Sequence, residues 1–214
     1  PEALLAWMQQ PQKAWLQARG LRPGEGIEAV EDLEALELEG LQRYLLLNHE
    51  LEEQFILGSA PDWMALLAGK GVLPAGAGAA LEQEELQKRW QALQRQLASL
   101  GPCRREVPVL AGLSMPLLYA GDTQVVVQPG MLTAAAVMRG WLHHLLLCAE
   151  GLAPAAGSAV VARSNRVAGA EVHLRWGGLP TVEAQDQLQQ LSRLARQGLE
   201  RCWPVPPKSG WQMV

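Results

Sequence analysis

Residues 106–150 constrain the fold of this 214-residue chain more than any other stretch. Two apolar runs, 107–110 and 113–119, come first, and the turn sequence Ala120-Gly121-Asp122 separates them from a third run, 123–128. Short apolar runs bounded by glycine, proline or aspartate are typical of β-strands. The stretch therefore predicts three consecutive strands.

After Pro129-Gly130 the apolar residues recur every three or four positions as far as residue 149. This spacing predicts a helix over 132–149 that is apolar on most sides, and such a helix is buried against a sheet. Arg139, Gly140 and His143 leave a narrow polar strip along it.

The remaining segments complete the order of elements. Hydrophobic spacing predicts helices at 2–8 (restarted by Pro11), at 41–57, after the caps Ser59 and Asp62, and at 81–100 beyond a glycine-rich loop at 74–80. Two strands, 159–163 and 171–176, precede a last helix over 182–201 that Thr181 caps. The core candidates on these helices are Leu45, Leu46, Phe55, Ile56, Leu86, Trp90, Leu93, Leu97, Leu188, Leu191, Leu194 and Leu199.

This order matches the α-βββ-α-ββ order of the restriction-endonuclease-like nucleases. The predicted fold is therefore α/β (α+β), with a PD-(D/E)xK-type core whose mixed sheet is flanked by helices. We expect a helical subdomain over 1–101 in front of a nuclease-like core over 102–214, joined as one compact unit. The chain starts at Pro1 without an initiator methionine, which favours a fragment of a longer protein.

The catalytic positions of such a nuclease are degenerate in this chain. Active enzymes carry an aspartate on the second strand, and on the third an acidic residue followed two positions later by lysine, because Mg²⁺ binds carboxylate oxygens and the lysine stabilises charge at the phosphate. Met115 stands at the first of these positions, Val127 at the second and Pro129 at the third. The sequence predicts neither a catalytic residue, a metal site nor a cofactor.

Charge is distributed unevenly along the chain. The net charge is -4, but residues 1–101 carry 8 Lys and Arg against 15 Asp and Glu, whereas residues 139–214 carry 8 against 5. Arg163, Arg166 and Arg175 fall on the predicted hairpin, where forked guanidinium donors suit phosphate contacts. A merely solvated hairpin is the alternative.

Several side chains have a structural and a functional interpretation. Arg139 and His143, one helical turn apart, form a vestigial cleft or a packing surface, and His144 is interpreted as a packing residue. Trp203 and Trp211 in the proline-rich tail are candidates for an interface. Three widely spaced cysteines without metal-ligand spacing favour reduced thiols in the cytoplasm, and no apolar run is long enough for a membrane span.

Five segments carry a resemblance to a known family: 11–16 (PQKAWL), 38–44 (LEGLQRY), 73–76 (LPAG), 141–149 (WLHHLLLCA) and 204–211 (PVPPKSGW). With them the chain resembles the C-terminal nuclease-like domain of the RecC family, the gamma subunits of exodeoxyribonuclease V. The resemblance implies a non-catalytic domain in a helicase-nuclease complex for DNA repair and recombination. RecB-like and RecD-like subunits would be its partners, together with DNA that the domain alone binds weakly.

Two other functions remain open at this point. In a divergent nuclease the metal ligands would have moved to Asp122, Glu106 or Glu171, and at least two carboxylates would have to converge. A pure protein-interaction module would suit the net acidity of the chain.

Overall fold

The computed structural model describes residues 2–21, 37–57, 62–164 and 169–203. It is a mixed α/β structure in which helices flank a five-stranded mixed sheet. The helices are α1 Glu2–Gln9, α2 Pro11–Gln17, α3 Gly40–Leu51, continued by a π-helix Glu52–Leu57, α4 Trp63–Gly69, α5 Ala77–Leu100, α6 Ala134–Ala149 and α7 Thr181–Glu200. The strands are β1 Cys103–Glu106, β2 Val109–Leu110, β3 Leu113–Ser114, β4 Leu117–Ala120, β5 Thr123–Met131, β6 Ser158–Arg163 and β7 Ala170–Trp176.

The sheet has the order β1-β4-β5-β6-β7. The pairs β1/β4, β4/β5 and β6/β7 are antiparallel, whereas β5 and β6 are parallel because α6 crosses over between them. β2 and β3 form a separate two-stranded hairpin. The sheet is therefore a meander of three strands extended by one helical crossover and a final hairpin.

Two of the three strands predicted at the start of this region are wrong in detail. Pro108 interrupts the run at 107–110, and Pro116 divides the run at 113–119 into β3 and β4, since proline has no N–H for a strand ladder. The first strand of the sheet is β1, whose Arg104–Glu106 segment is exposed and polar. The third predicted strand is confirmed and extends to Met131.

The helices agree more closely with their periodicity. α5 begins at Ala77 after Gly76, which has φ 62, so the loop predicted at 74–80 is wrong over its second half. The predicted stripe on α5 is confirmed as core: Leu86, Trp90, Leu93 and Leu97 are all buried. Asp62 caps α4 by accepting from the Ala65 N–H, and Ser59 and the side chain of Ile56 lie outside what the structure describes.

The predicted core positions of three leucines and the predicted helix cap at Thr181 are wrong. Leu45 is 55% exposed, and Leu194 and Leu199 are also exposed. On α7 the contact face follows Ala184, Leu188, Leu191, Ala195 and Gly198, a spacing of three and four that leaves Leu194 and Leu199 at its margins. Thr181 is the first residue of α7 and makes no capping bond; Pro180 occupies the N-cap.

The two faces of the sheet bury different clusters. α3, α4 and α5 pack on the face that carries Leu118, Val125 and Val127. α6 covers the opposite face, which carries Leu117 and Val126.

α1 and α2 lie against the second of these layers. Leu4, Leu5 and Met8 of α1 pack on the cluster beneath α6. The Arg19 guanidinium donates to the carbonyls of Leu199 and Glu200 at the end of α7, each at 2.8 Å. The first twenty residues therefore contact the α6 and α7 side of the molecule.

Candidate functional site

A pocket opens where β4 ends beside the longer β5. The pairing between the two strands stops at Leu118 opposite Val125, while β5 continues to Met131. We call this pocket the notch. Its floor is Gln124–Val127 of β5, one wall is Asn48, Leu51 and Glu52, and the other is Arg139 and His143 of α6, with Pro116–Leu118 at its end.

The notch unites some of the predicted positions and not others. Val127 lines it together with Arg139 and His143, so the polar strip of α6 does face the degenerate strand. Met115 instead packs against the core cluster that contains Leu142 and Leu146 of α6, and Pro129 lines a different pocket. The three positions predicted as degenerate catalytic sites therefore do not converge.

Strand alternation explains which side chains of β5 face α6. Val127 packs on the α5 face of the sheet, whereas Val126 packs with Ala136 on the α6 face. Successive side chains point to opposite faces, so Gln124 and Val126 share the face of Arg139 and His143. All residues of Thr123–Pro129 are buried. A strand that is buried on both faces does not alternate between apolar and polar residues, so its sequence does not show which side chains point to which face of the sheet.

The polar groups of the notch have few partners. Gln124 is 1% exposed, and neither atom of its amide has a hydrogen-bond partner among the described residues. The same holds for Nδ1 of His143. Burial, and then the charge of Arg139, lower the pKa of His143 to about 4, so its imidazole is neutral at neutral pH.

The alternative metal ligands lie far apart. Glu106 is on β1 and Glu171 on β7, the two outer strands of the sheet, which four strand spacings separate by about 19 Å. Asp122 is exposed in the turn before β5. In the described ranges no group of three His, Cys, Asp or Glu side chains is placed to hold a metal ion.

A second pocket lies between α5 and the ends of β5–β7, and we call it the basic groove. Lys88, Arg89 and Arg95 of α5 face Arg163 of β6 across it, and Glu85 pairs with Arg89 at 2.6 Å. Sequence reasoning singled out Arg163 and missed the cations of α5. The sequence feature that could have revealed them is the seven-residue spacing from Lys88 to Arg95, which places both on one helix face.

The other predicted DNA contacts lie elsewhere. Arg175 pairs with Ala159, four residues from Arg163 along the hairpin, or about 13 Å. It does not line the basic groove. Arg166 lies outside the described residues.

Of the two tryptophans predicted to form an interface, Trp203 lies within the described residues. Trp203 is half-buried and packs edge-on against Trp7, with ring centroids 6.2 Å apart. Trp211 lies outside the described ranges.

His144 packs inside the protein, as predicted. Its ring stacks against Trp141 and Trp176, and its Nδ1 lies 3.0 Å from Oγ of Ser158.

Comparison with known proteins gives one family. A family model described as the RecC C-terminal domain matches residues 1–214, the whole chain. No curated protein matches the sequence. Among the helices that the structure describes, none has the length and apolar character needed to cross a membrane.

Proposed function

Because the chain belongs to the RecC C-terminal domain family, and so to a component of the RecBCD complex, we propose that it is a non-catalytic, nuclease-like domain that scaffolds the other subunits and guides DNA strands. RecB-like and RecD-like subunits are the proposed partners, in the cytoplasm, in double-strand break repair and recombination.

The strand topology supports a restriction-endonuclease-like origin for the sheet. β1, β4 and β5 form an antiparallel meander, α6 follows directly, and β6 adds parallel to β5. This is the α-βββ-α-β arrangement expected of a PD-(D/E)xK-type core. Its equivalent of the cutting site is the point where β4 and β5 part, which is the notch.

The composition of the notch is the observation that carries the proposal. Cleavage with Mg²⁺ needs carboxylates at this point, because hard cations take oxygen ligands. The described lining of the notch has a single carboxylate, Glu52, on the wall opposite α6. The α6 wall and the floor instead offer a guanidinium, a neutral imidazole and a carboxamide, from Arg139, His143 and Gln124. A fixed positive charge beside the floor repels a second cation.

Guidance of DNA is proposed for the basic groove and the hairpin. Four cationic side chains line the groove. Arg89 is paired with Glu85 and Lys88 with Glu84, whereas Arg95 and Arg163 form no ion pair among the described residues. Arg163 in the groove and Arg175 on β7 would contact phosphates, together with Arg166, which lies between β6 and β7 in the sequence. Contacts of this kind position a strand without reading its sequence.

Exposed apolar side chains favour the protein-interaction module as the second candidate. Val107, Val109 and Leu113 are about half exposed on and beside the β2–β3 hairpin. Exposed apolar groups placed together are typical of surfaces that bind another protein. This candidate shares the scaffolding role and omits the contact with DNA.

The nuclease alternative is tested directly. The purified chain should cleave neither single- nor double-stranded DNA with Mg²⁺ or Mn²⁺ above the background of a mock purification. Cleavage that copurifies with the chain and is lost in Asp122→Ala or Glu106→Ala would overturn the non-catalytic assignment. Binding to RecB-like and RecD-like subunits, measured in parallel, tests the scaffolding role separately.

A further inference from the structure

The α6 side of the notch brings together two side chains whose buried polar atoms lack hydrogen-bond partners among the described residues and one arginine that forms no ion pair there. Gln124 is enclosed in the floor with both amide atoms unpaired, and Nδ1 of His143 is unpaired beside it. Arg139 takes part in none of the ion pairs of the described residues. A buried polar atom without a partner costs roughly 1 to 3 kcal/mol, so three such atoms on Gln124 and His143, beside the half-buried and unpaired Arg139, indicate a site built for a ligand.

We propose that the notch is a phosphate-binding site in which Arg139, Gln124 and His143 hold a phosphate group of a DNA strand. This inference rests on the proposed function, since that function supplies DNA as the source of the phosphate. An active nuclease binds the phosphate through a metal ion and cleaves the phosphodiester bond. In the notch a guanidinium would bind the phosphate and leave that bond intact.

The donor set of the notch suits an oxyanion. A guanidinium presents its N–H groups as a planar fork that matches two phosphate oxygens. The unpaired atoms of Gln124 and His143 are closed to solvent. On binding, the amide and the neutral imidazole would each turn a further N–H towards the anion without adding charge. The apolar residues around them, Leu117 and Val126, exclude water and strengthen the contacts with an anion.

One charge in the notch opposes the anion. The Glu52 carboxylate lies on the opposite wall, where it accepts from Nδ2 of Asn48 at 3.0 Å. Its repulsion weakens phosphate binding without touching the donors on α6. Glu52→Gln should therefore tighten binding, the opposite result from any substitution among the donors.

Gln124 provides a variant that separates folding from binding. Methionine has nearly the shape of glutamine and no amide, so Gln124→Met removes two unsatisfied atoms and should raise the melting temperature. The same change should weaken phosphate binding. A variant that is more stable and binds less cannot owe its lost affinity to misfolding.

The test titrates the 214-residue chain calorimetrically with inorganic phosphate and, separately, with a short single-stranded oligothymidylate, at fixed ionic strength. A background carrying Lys88→Gln, Arg95→Gln and Arg163→Gln weakens binding in the basic groove. In that background Arg139→Gln should weaken both ligands about tenfold, Gln124→Met severalfold, and Glu52→Gln should tighten both about twofold. The exposed Arg193→Gln is the matched control and should leave both unchanged.

The results for Arg139→Gln separate the existence of the phosphate site from the identity of its ligand. Loss of both ligands in Arg139→Gln supports the proposal, whereas loss of inorganic phosphate alone keeps the phosphate site and overturns DNA as its source. Equal affinity of the parent and Arg139→Gln for both ligands overturns the site itself. The proposed function fails by other observations, namely metal-dependent cleavage or no binding to the partner subunits.

Discussion

At the scale of single residues, the pair of Arg43 and Glu82 shows how a buried charge is stabilised. Nε of Arg43 lies 2.8 Å from one carboxylate oxygen of Glu82, and Nη2 contacts the other, which also accepts from the Leu38 N–H. The Glu82 side chain is 6% exposed. The hydrogen bond from Arg43 lowers the pKa of Glu82, and burial opposes that effect only in part.

This pair predicts a pH-dependent contribution to stability. Because the pKa of Glu82 is lower in the folded than in the unfolded chain, its stabilisation is complete above the ordinary carboxyl range near 4.3 and is lost as pH falls through the folded-state pKa. Glu82→Gln should cost about 2 kcal/mol at pH 7, and less towards pH 3, by urea unfolding.

Glu84→Gln is the matched control for this change. Glu84 pairs with Lys88 one helical turn away, but both side chains are exposed. Its free energy of unfolding should stay close to that of the parent at every pH. A difference between the parent and Glu82→Gln that does not shrink in acid would contradict the stated cause.

At the scale of elements, the close crossing of α6 over the sheet depends on Gly140. A Cβ at this position would lie 2.8 Å from Cγ2 of Val160 and 2.9 Å from Cζ3 of Trp176. Both neighbours are held in the α6-side core. The absence of a side chain therefore sets the distance between α6 and β6, and with it the height of the notch wall that carries Arg139 and His143.

Gly140→Ala should destabilise the protein, although alanine is the better helix former by about 1 kcal/mol. Overpacking at a buried crossing costs about 1 to 3 kcal/mol, so we expect a lower melting temperature in differential scanning calorimetry. Gly69→Ala, at the end of α4 with nothing within 4 Å of the added carbon, should leave the melting temperature unchanged or raise it.

The elements also show where sequence reasoning succeeds. α5, α6, β6 and β7 follow from periodicity, because a packed helix or strand must repeat its apolar residues. β1 was not predicted, because a charged edge strand lacks the apolar residues by which strands are found in a sequence. The run at 113–119 resembled one strand, but Pro116 divides it into two.

The candidate site was only half predictable for a related reason. Arg139 and His143 are detectable by their spacing on α6. Gln124 is not, because a polar residue in a strand ordinarily faces solvent, and only the tertiary structure encloses it.

At the scale of the whole molecule, positive charge is concentrated locally in a chain that is acidic overall. The basic groove collects Lys88, Arg89, Arg95 and Arg163 from segments that are far apart in sequence, while the net charge remains -4. Long-range attraction to DNA should therefore be strongest at the groove and be strongly screened by salt.

Salt dependence measures how many of these cations contact phosphates. Replacing Lys88, Arg95 and Arg163 with glutamine should reduce the slope of log K against log salt by about 2 for single-stranded DNA, as release of three counterions requires. Fluorescence anisotropy at several salt concentrations gives the slope. Arg175→Gln, outside the groove, should change it less, and an equal effect would place the contact on the hairpin alone.

The early end of β4 also bears on how the sheet avoids self-association. Unpaired strand edges invite pairing with another chain, the first step towards aggregates. The two outer strands carry charged or ionisable groups, with Arg104–Glu106 on β1 and Glu171, His173 and Arg175 on β7. The third free edge, that of β5 beyond Val125, is recessed between α3 and α6, where a flat foreign strand cannot reach it. The fold thus keeps an opening in its sheet without offering a template for fibrils.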